Sequence, residues 1–148
     1  MSAEPVNDSA ISLFRPMRAA DLPSARALWE LAEGVSLDVG DSLDELEAYL
    51  GRNPGISQVA ERGGCLVGAV LGGHDGRRGW IYHLAVAREH RRGGIGRTLV
   101  ERSLAELRRA GIGRVRIFVA SDNLAGLAFW KRCGWEGGDG VASLSFDI

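Results

Sequence analysis

The chain is poor in cysteine: Cys65 and Cys133 are its two, and they form no Cys-x-x-Cys pair. That count argues against a disulfide framework and against a cysteine-built zinc site, and no metal is expected. Both thiols sit in apolar sequence, so free buried cysteines and a reducing compartment are the expectation. No run approaches the ~18 apolar residues of a membrane helix, so no membrane partner is expected. The opening MSAEPVNDSA lacks the basic and apolar regions of a signal peptide, which favours a cytoplasmic location with residues 1–10 flexible. Net charge is nearly absent, 18 Lys+Arg against 19 Asp+Glu, and this argues against general nucleic-acid affinity. No repeat, linker or low-complexity segment divides the chain, so residues 11–148 read as a single domain large enough to bury a core.

What the sequence does have is an uneven charge distribution and many glycines. Residues 1–61 carry 11 Asp/Glu against 4 Arg, whereas residues 88–116 carry 9 Arg against 3 Glu. The basic block coincides with the most organised stretch, WIYHLAVAREHRRGGIGRTLVERSLAEL, from Trp80 to Leu107. Trp80 to Ala87 suit a buried strand. Ile95, Leu99, Val100, Leu104 and Leu107 recur at helical spacing. Between them lie Arg91, Arg92, Gly93, Gly94, Ile95 and Gly96, where free N–H groups and the positive end of a helix dipole meet. Glycine there lets an anion approach the backbone, so the turn reads as a phosphate or pyrophosphate cradle rimmed by arginine. A DNA-binding face is the rival use of the same arginines.

Along the chain, Ile11 to Phe14 suit a first strand. Asp21 or Ser24 would cap a helix to about Glu33, with Ala25, Leu28, Trp29 and Ala32 inward. A second helix spans about Ser42 to Leu50, with Ser42 and Glu45 at capping-box spacing and Leu43, Leu46 and Leu50 on its apolar side. Ser57–Glu61 and Cys65–Leu71 read as antiparallel strands joined across Gly63-Gly64. Gly72 to Gly76 read as a turn with Asp75-Gly76 at its apex. Arg114–Ala120 is a strand, Ser121-Asp122-Asn123 opens a helix to about Cys133, and Gly134 closes it. Gly137–Gly140 is a turn and Val141–Ile148 a last strand. Strand alternation predicts Trp80, Tyr82 and Leu84 on one face, and Ile81, His83 and Ala85 on the other. The fold class is α/β, a mixed sheet with helices on its faces.

Two common nucleotide loops fail on residues. The third glycine of a dinucleotide fingerprint falls on Leu99. A Walker loop would need Lys at Arg97 and Gly at Arg91.

Arg91-x-x-Gly94-x-Gly96 does resemble the signature turn of the GNAT N-acetyltransferases. Leu84-Ala85-Val86 before it, Asn123-x-Ala125 after the next strand, and Gly134-Trp135 fall where that family places them, and the likeness runs from about residue 12 to 148. The resemblance implies a GNAT-like, mostly antiparallel mixed sheet with about four helices and splayed central strands. It implies acetyl-CoA as co-substrate. The backbone of Arg92, Gly93, Gly94, Ile95, Gly96 and Arg97 would hold the pyrophosphate, with Arg91 beside it. Leu84, Ala85 and Val86 would run along the pantetheine arm, and Asn123 and Trp130 would touch the cofactor. A small-molecule or peptide amine would be acetylated by direct transfer. Homodimers are a frequent default for such chains.

The chain departs from that pattern at the reacting end. Many members carry a tyrosine as general acid where this chain has Trp130, whose indole cannot titrate usefully. No carboxylate stands near Trp80, where some members keep a base. Tyr82 and His83 are the remaining candidates. His83 is the better base chemically; Tyr82 is better placed if the substrate lies on the side of Trp80. As plain structural residues, His83 would be a core histidine and Tyr82 a pocket wall. Arg91 and Arg92 would solvate a helix start, and Asn123 would be a cap. Asp38, Asp41, Asp44 and Glu45 would either attract a cationic amine or be a solvated helix face. Trp29, Phe129 and Trp135 read as core, and Cys133 has no partner that would make it a nucleophile. A non-catalytic CoA-binding module is the alternative function.

Overall fold

The computed structural model describes residues 12–137 and 140–148, in two compact units that meet in sequence at Phe118 and Val119. The first unit is built on a sheet whose order in space repeats its order in sequence: β1 (Leu13–Pro16), β2 (Gln58–Arg62), β3 (Cys65–His74), β4 (Gly79–Val86) and β5 (Val115–Arg116). β1 to β4 pair antiparallel, and β4 and β5 pair parallel. With the helices α1 (Leu22–Leu31), α2 (Leu43–Arg52), α3 (Ile95–Arg109) and α4 (Leu124–Arg132), this is the expected mixed α/β class.

Each face of the sheet has its own layer. Ala25 and Trp29 of α1 and Leu46 of α2 are buried against Val59, Ala69, Leu71 and Ala85. On the other face α3 sits close enough to demand glycine beneath it. A side chain begun at Gly68 would lie 2.9 Å from Leu99 and 3.1 Å from Ile95, and one at Gly79 would lie 3.1 Å from Leu107. The hydroxyl of Ser103, the buried polar residue of α3, donates to the carbonyl of Ile56 at 2.7 Å and is thereby satisfied. Ser42 caps α2, its Oγ accepting from the Glu45 N–H at 3.2 Å. Asp21 precedes α1 without capping it; its carboxylate instead grips Arg15.

Several expectations shift. Gly72, Gly73 and His74 are strand, not turn, because β3 stays paired with β4 as far as His74↔Gly79. The hairpin apex is therefore Gly76-Arg77, with Asp75 Oδ1 accepting from the N–H groups of Arg77 and Arg78 at 2.8 and 2.9 Å. β1 lies at Leu13–Pro16; Ile11 falls outside the described residues. The strand expected over 114–120 shrinks to Val115–Arg116, since its pairing with β4 stops at Trp80. Cys65 is exposed and Cys133 half-buried, and both are free thiols.

In the second unit, Asn123 Oδ1 accepts from the Gly126 N–H at 3.0 Å and caps α4. The helix closes with Gly134 in the left-handed region (φ 92°), its N–H bonded to the Lys131 carbonyl and that of Trp135 to the Trp130 carbonyl. Trp130 packs edge-on to both Phe129 and Trp135. Part of the expected turn at Gly137–Gly140 lies outside the described residues. Val141–Ile148 forms no strand: it has no ladder partner among the described residues, and Val141, Leu144, Phe146 and Ile148 are exposed.

Candidate active site

One extra residue in β4 shapes the site. Ala69 pairs with Ala85 and Leu71 with Tyr82, so two steps on β3 oppose three on β4. The excess is taken up as a bulge at His83, whose φ of 51° lies in a region that non-glycine residues seldom occupy. Alternation is thereby reset. Tyr82 and Ala85, three positions apart, both pack toward the α1–α2 layer. His83 faces that layer too, its ring 5.3 Å from that of Trp29. The expectation that His83 and Ala85 point away from Tyr82 is thus overturned, by a backbone irregularity that regular alternation cannot foresee.

His83 meets a carboxylate there. Its Nε2 lies 2.9 Å from Asp41 Oδ1, a residue 42 positions earlier in the loop between α1 and α2. Asp41 is itself fixed: its Oδ2 accepts from the Asp38 N–H at 3.0 Å, and its carbonyl accepts from Arg26 Nε at 3.0 Å. Of the four acidic residues expected to form a charged face, Asp38, Asp44 and Glu45 are exposed, and Asp41 is turned inward. Around the pair runs a row of rings. Phe118 stacks on Trp80 at 5.1 Å, Trp80 on Tyr82 at 6.1 Å, and Tyr82 is 6.2 Å from His83. Tyr49 from α2 lies over Gly73 beside them. Burial pushes the phenol of Tyr82 above its ordinary range, and burial together with nearby Tyr82 does the same to Tyr49. Neither is a phenolate near neutral pH. Tyr49, Phe118 and the inward role of Asp41 were not read from sequence. The one cue for Asp41 was an acid directly before the Ser42 cap.

Beyond the bulge the character of β4 changes. From Ile81 to Val86 no described strand pairs with the edge that faces away from β3, because β5 pairs only with Gly79 and Trp80. Leu84 is half-buried within the bulge, Ala85 is buried and paired with Ala69, and Val86 pairs with Gly68. The strand leads through a 3-10 turn at Arg88–His90 into the glycine turn. Arg91 folds back, its Nε donating to the Val86 carbonyl at 3.1 Å. Arg92 (φ 72°) and Gly94 (φ 79°) are both left-handed, and Gly94 is the N-cap of α3. The N–H groups of Arg92, Gly93 and Gly94 have no backbone acceptor among the described residues, and those of Ile95, Gly96 and Arg97 are the unpartnered first turn of a helix. This backbone is arranged as an anion nest. Arg91, Arg92, Gly93 and Gly94 are exposed around it, while the Arg97 side chain pairs with Glu101 at 3.1 Å. Asn123 and Trp130 belong to the second unit, where their visible roles are cap and packing. Among the described residues no three His, Cys, Asp or Glu converge as metal ligands do. No described helix is long and apolar enough to cross a membrane.

The architecture is a mixed sheet whose central strand runs into a glycine turn and a long helix. Solved structures share it. An aminoglycoside acetyltransferase from an uncultured soil metagenomic sample, in complex with sisomicin, superposes with a TM-score of 0.74 at 19% identity, over 93% of this chain and 96% of its own. A PaiA N-acetyltransferase from Thermoplasma acidophilum in complex with coenzyme A gives 0.73 at 18% identity, over 90% and 94%. In sequence, an acetyltransferase of Sodalis glossinidius (strain morsitans) is 31% identical over 131 residues, 88% of this chain and 92% of the relative. The profile of the acetyltransferase (GNAT) family matches residues 23–135. The chain belongs to the GNAT family of acetyltransferases.

Proposed function

We propose that the protein transfers the acetyl group of acetyl-CoA directly to an amine. The observation that carries this is the continuity of two open backbone surfaces, the unpaired edge of β4 and the left-handed nest at Arg92–Arg97, side by side in sequence. An extended thioester arm adds to the first as a strand would, at Leu84 to Val86. Its pyrophosphate sits in the second, with Arg91 and Arg92 at the rim. Asn123, the cap of α4, and Trp130 within it are the residues that the family resemblance assigns to cofactor contact. A backbone N–H near Leu84 polarises the thioester carbonyl. The co-substrate supplies an activated acyl group; the protein supplies position, charge and a proton acceptor. A small-molecule acceptor is favoured by the neighbour bound to sisomicin, and the cytoplasm is the setting in which acetyl-CoA would be met.

The experiment is calorimetric titration with acetyl-CoA followed by thiol release against a panel of amines. Binding at tens of micromolar or tighter and release with one amine are the expected results. Absence of binding refutes the proposal. Binding without thiol release for any amine favours the CoA-binding module, a reading that Trp130 motivates because the position offers an indole packed between two rings rather than a phenol.

A further inference from the structure

We infer that Asp41 and His83 form a dyad that deprotonates the acceptor, and that the acceptor is an alkylamine arriving as its ammonium ion. The inference rests on the proposed acetyl transfer and specifies which residues and which substrate class complete it. A carboxylate only accepts hydrogen bonds, so the contact at 2.9 Å places the imidazole proton on Nε2. In the neutral ring the lone pair then sits on Nδ1. That nitrogen has no protein partner among the described residues, and the His83 side chain is 15% exposed. A histidine oriented by an acid through one nitrogen, with the other unpartnered, is the arrangement of a general base and its orienting group.

Three further observations converge on the same residues. The backbone places His83 in the left-handed region within a strand, a costly conformation that persists where the surroundings enforce it, and such strain gathers at functional sites. Asp41 is anchored by Asp38 and by Arg26 before it touches His83, so the ring is held rather than followed. The neighbouring candidate, Tyr82, is kept protonated by burial and cannot accept a proton near neutrality. Among the described residues, the groups facing the imidazole are the Asp41 carboxylate, the Tyr82 phenol and the Trp29 indole; Arg26 binds the Asp41 carbonyl, not its carboxylate. With the imidazole neutral, the dyad carries one negative charge beside the rings of Tyr82 and Trp80. That environment draws a cation.

An alkylammonium titrates near pH 10, close to lysine, and cannot attack until it loses a proton. The step balances as follows. The ammonium gives one proton to His83 Nδ1, and the freed nitrogen lone pair forms the N–C bond to the thioester carbonyl carbon. As the tetrahedral species collapses, the C–S bond breaks and its electron pair leaves with the CoA sulfur. The second nitrogen proton goes to that thiolate, and His83 returns the first to solvent.

The test uses the full chain and His83→Asn, chosen because asparagine tolerates the left-handed conformation, together with Asp41→Asn. Acceptors are putrescine, tyramine and sisomicin, with phenylhydrazine as an acceptor already neutral at the assay pH. His83→Asn is expected to lower kcat/KM for the alkylamines by about a hundredfold or more, and Asp41→Asn by about tenfold. Phenylhydrazine should change by less than about threefold, and acetyl-CoA binding by calorimetry should be unchanged. Imidazole nitrogen shifts should show a single Nε2–H tautomer at His83, lost in Asp41→Asn. Alkylamine turnover retained in His83→Asn, an equal loss with phenylhydrazine, or an Nδ1–H tautomer each overturns the dyad and leaves acetyl transfer standing. Acetyl-CoA binding without turnover of any amine overturns the dyad in favour of a binding module. Failure of the unaltered protein to bind acetyl-CoA overturns the proposed function itself.

Discussion

The phenol of Tyr49 occupies the space in which a side chain on Gly73 would begin. Its ring and the Asn53 amide both lie closer to that point than packed atoms can. Asn53 is buried and bonded on both sides, donating to the Tyr49 carbonyl and accepting from the His74 N–H at 2.9 Å, so neither group can yield cheaply. Gly73→Ala should therefore destabilise the protein by about 1–3 kcal/mol, measured by urea unfolding. Tyr49→Ala in the same background should recover part of that loss, because the clash goes with the ring.

Tyr82→Phe separates the two candidates of β4. Burial holds the Tyr82 phenol in its protonated form, so removing the hydroxyl should leave kcat within about fivefold of the parent. A loss as large as that of His83→Asn would assign the proton transfer to Tyr82 instead.

Gly94 caps α3 with φ of 79° and has nothing within 4 Å of where a Cβ would stand. Gly94→Ala meets no neighbour in the protein and suffers only the left-handed penalty, about 1–2 kcal/mol of unfolding free energy. Its methyl group would enter the nest proposed to hold the pyrophosphate. Calorimetry should show acetyl-CoA binding weakened by about tenfold, or ~1.4 kcal/mol.

Acid should loosen the protein through Asp21. The Arg15 guanidinium binds both its oxygens at 2.7 and 2.8 Å and also reaches Glu61, while the Arg18 N–H donates to Oδ2 at 2.8 Å. Arg15 first, and that N–H after it, hold the Asp21 carboxyl below its ordinary value of 3.8. A lowered folded value means the carboxylate stabilises the fold above pH ~4 and ceases to do so as pH falls through the lowered value. Asp21→Asn should cost about 1–3 kcal/mol at pH 7, with the gap to the parent narrowing from about pH 5 downward. Urea midpoints from pH 7 to pH 2.5 check it.

Local rules sufficed where local chemistry decides. The Ser42 cap, the Asn123 cap, the Gly134 stop and the helix opening at Ile95 are all short-range, and each lies where its residues suggest. The inward set Ala25 and Trp29 followed from helical periodicity. What escaped depends on partners distant in sequence. Whether Gly72 to His74 turn or continue is settled by β4, and whether 117–120 is strand is settled by how far β4 stays alongside. Asp41 was visible only as one of four surface acids. Its selection came from His83, which a bulge without a sequence mark had turned toward it.

That bulge also sets two parity rules within one strand. Upstream of it, the odd positions Gly79 and Ile81 meet the α3 layer while even-numbered Tyr82 meets α1 and α2; downstream, odd-numbered Ala85 meets α1 and α2. A single-residue deletion at His83 would restore one uniform rhythm while Tyr82 and Ala85 kept their face, because two steps on β3 would then oppose two on β4. The strand is thus two rulers joined out of step. Substitutions chosen to vary its first half need a different inside–outside code from those chosen to preserve its second.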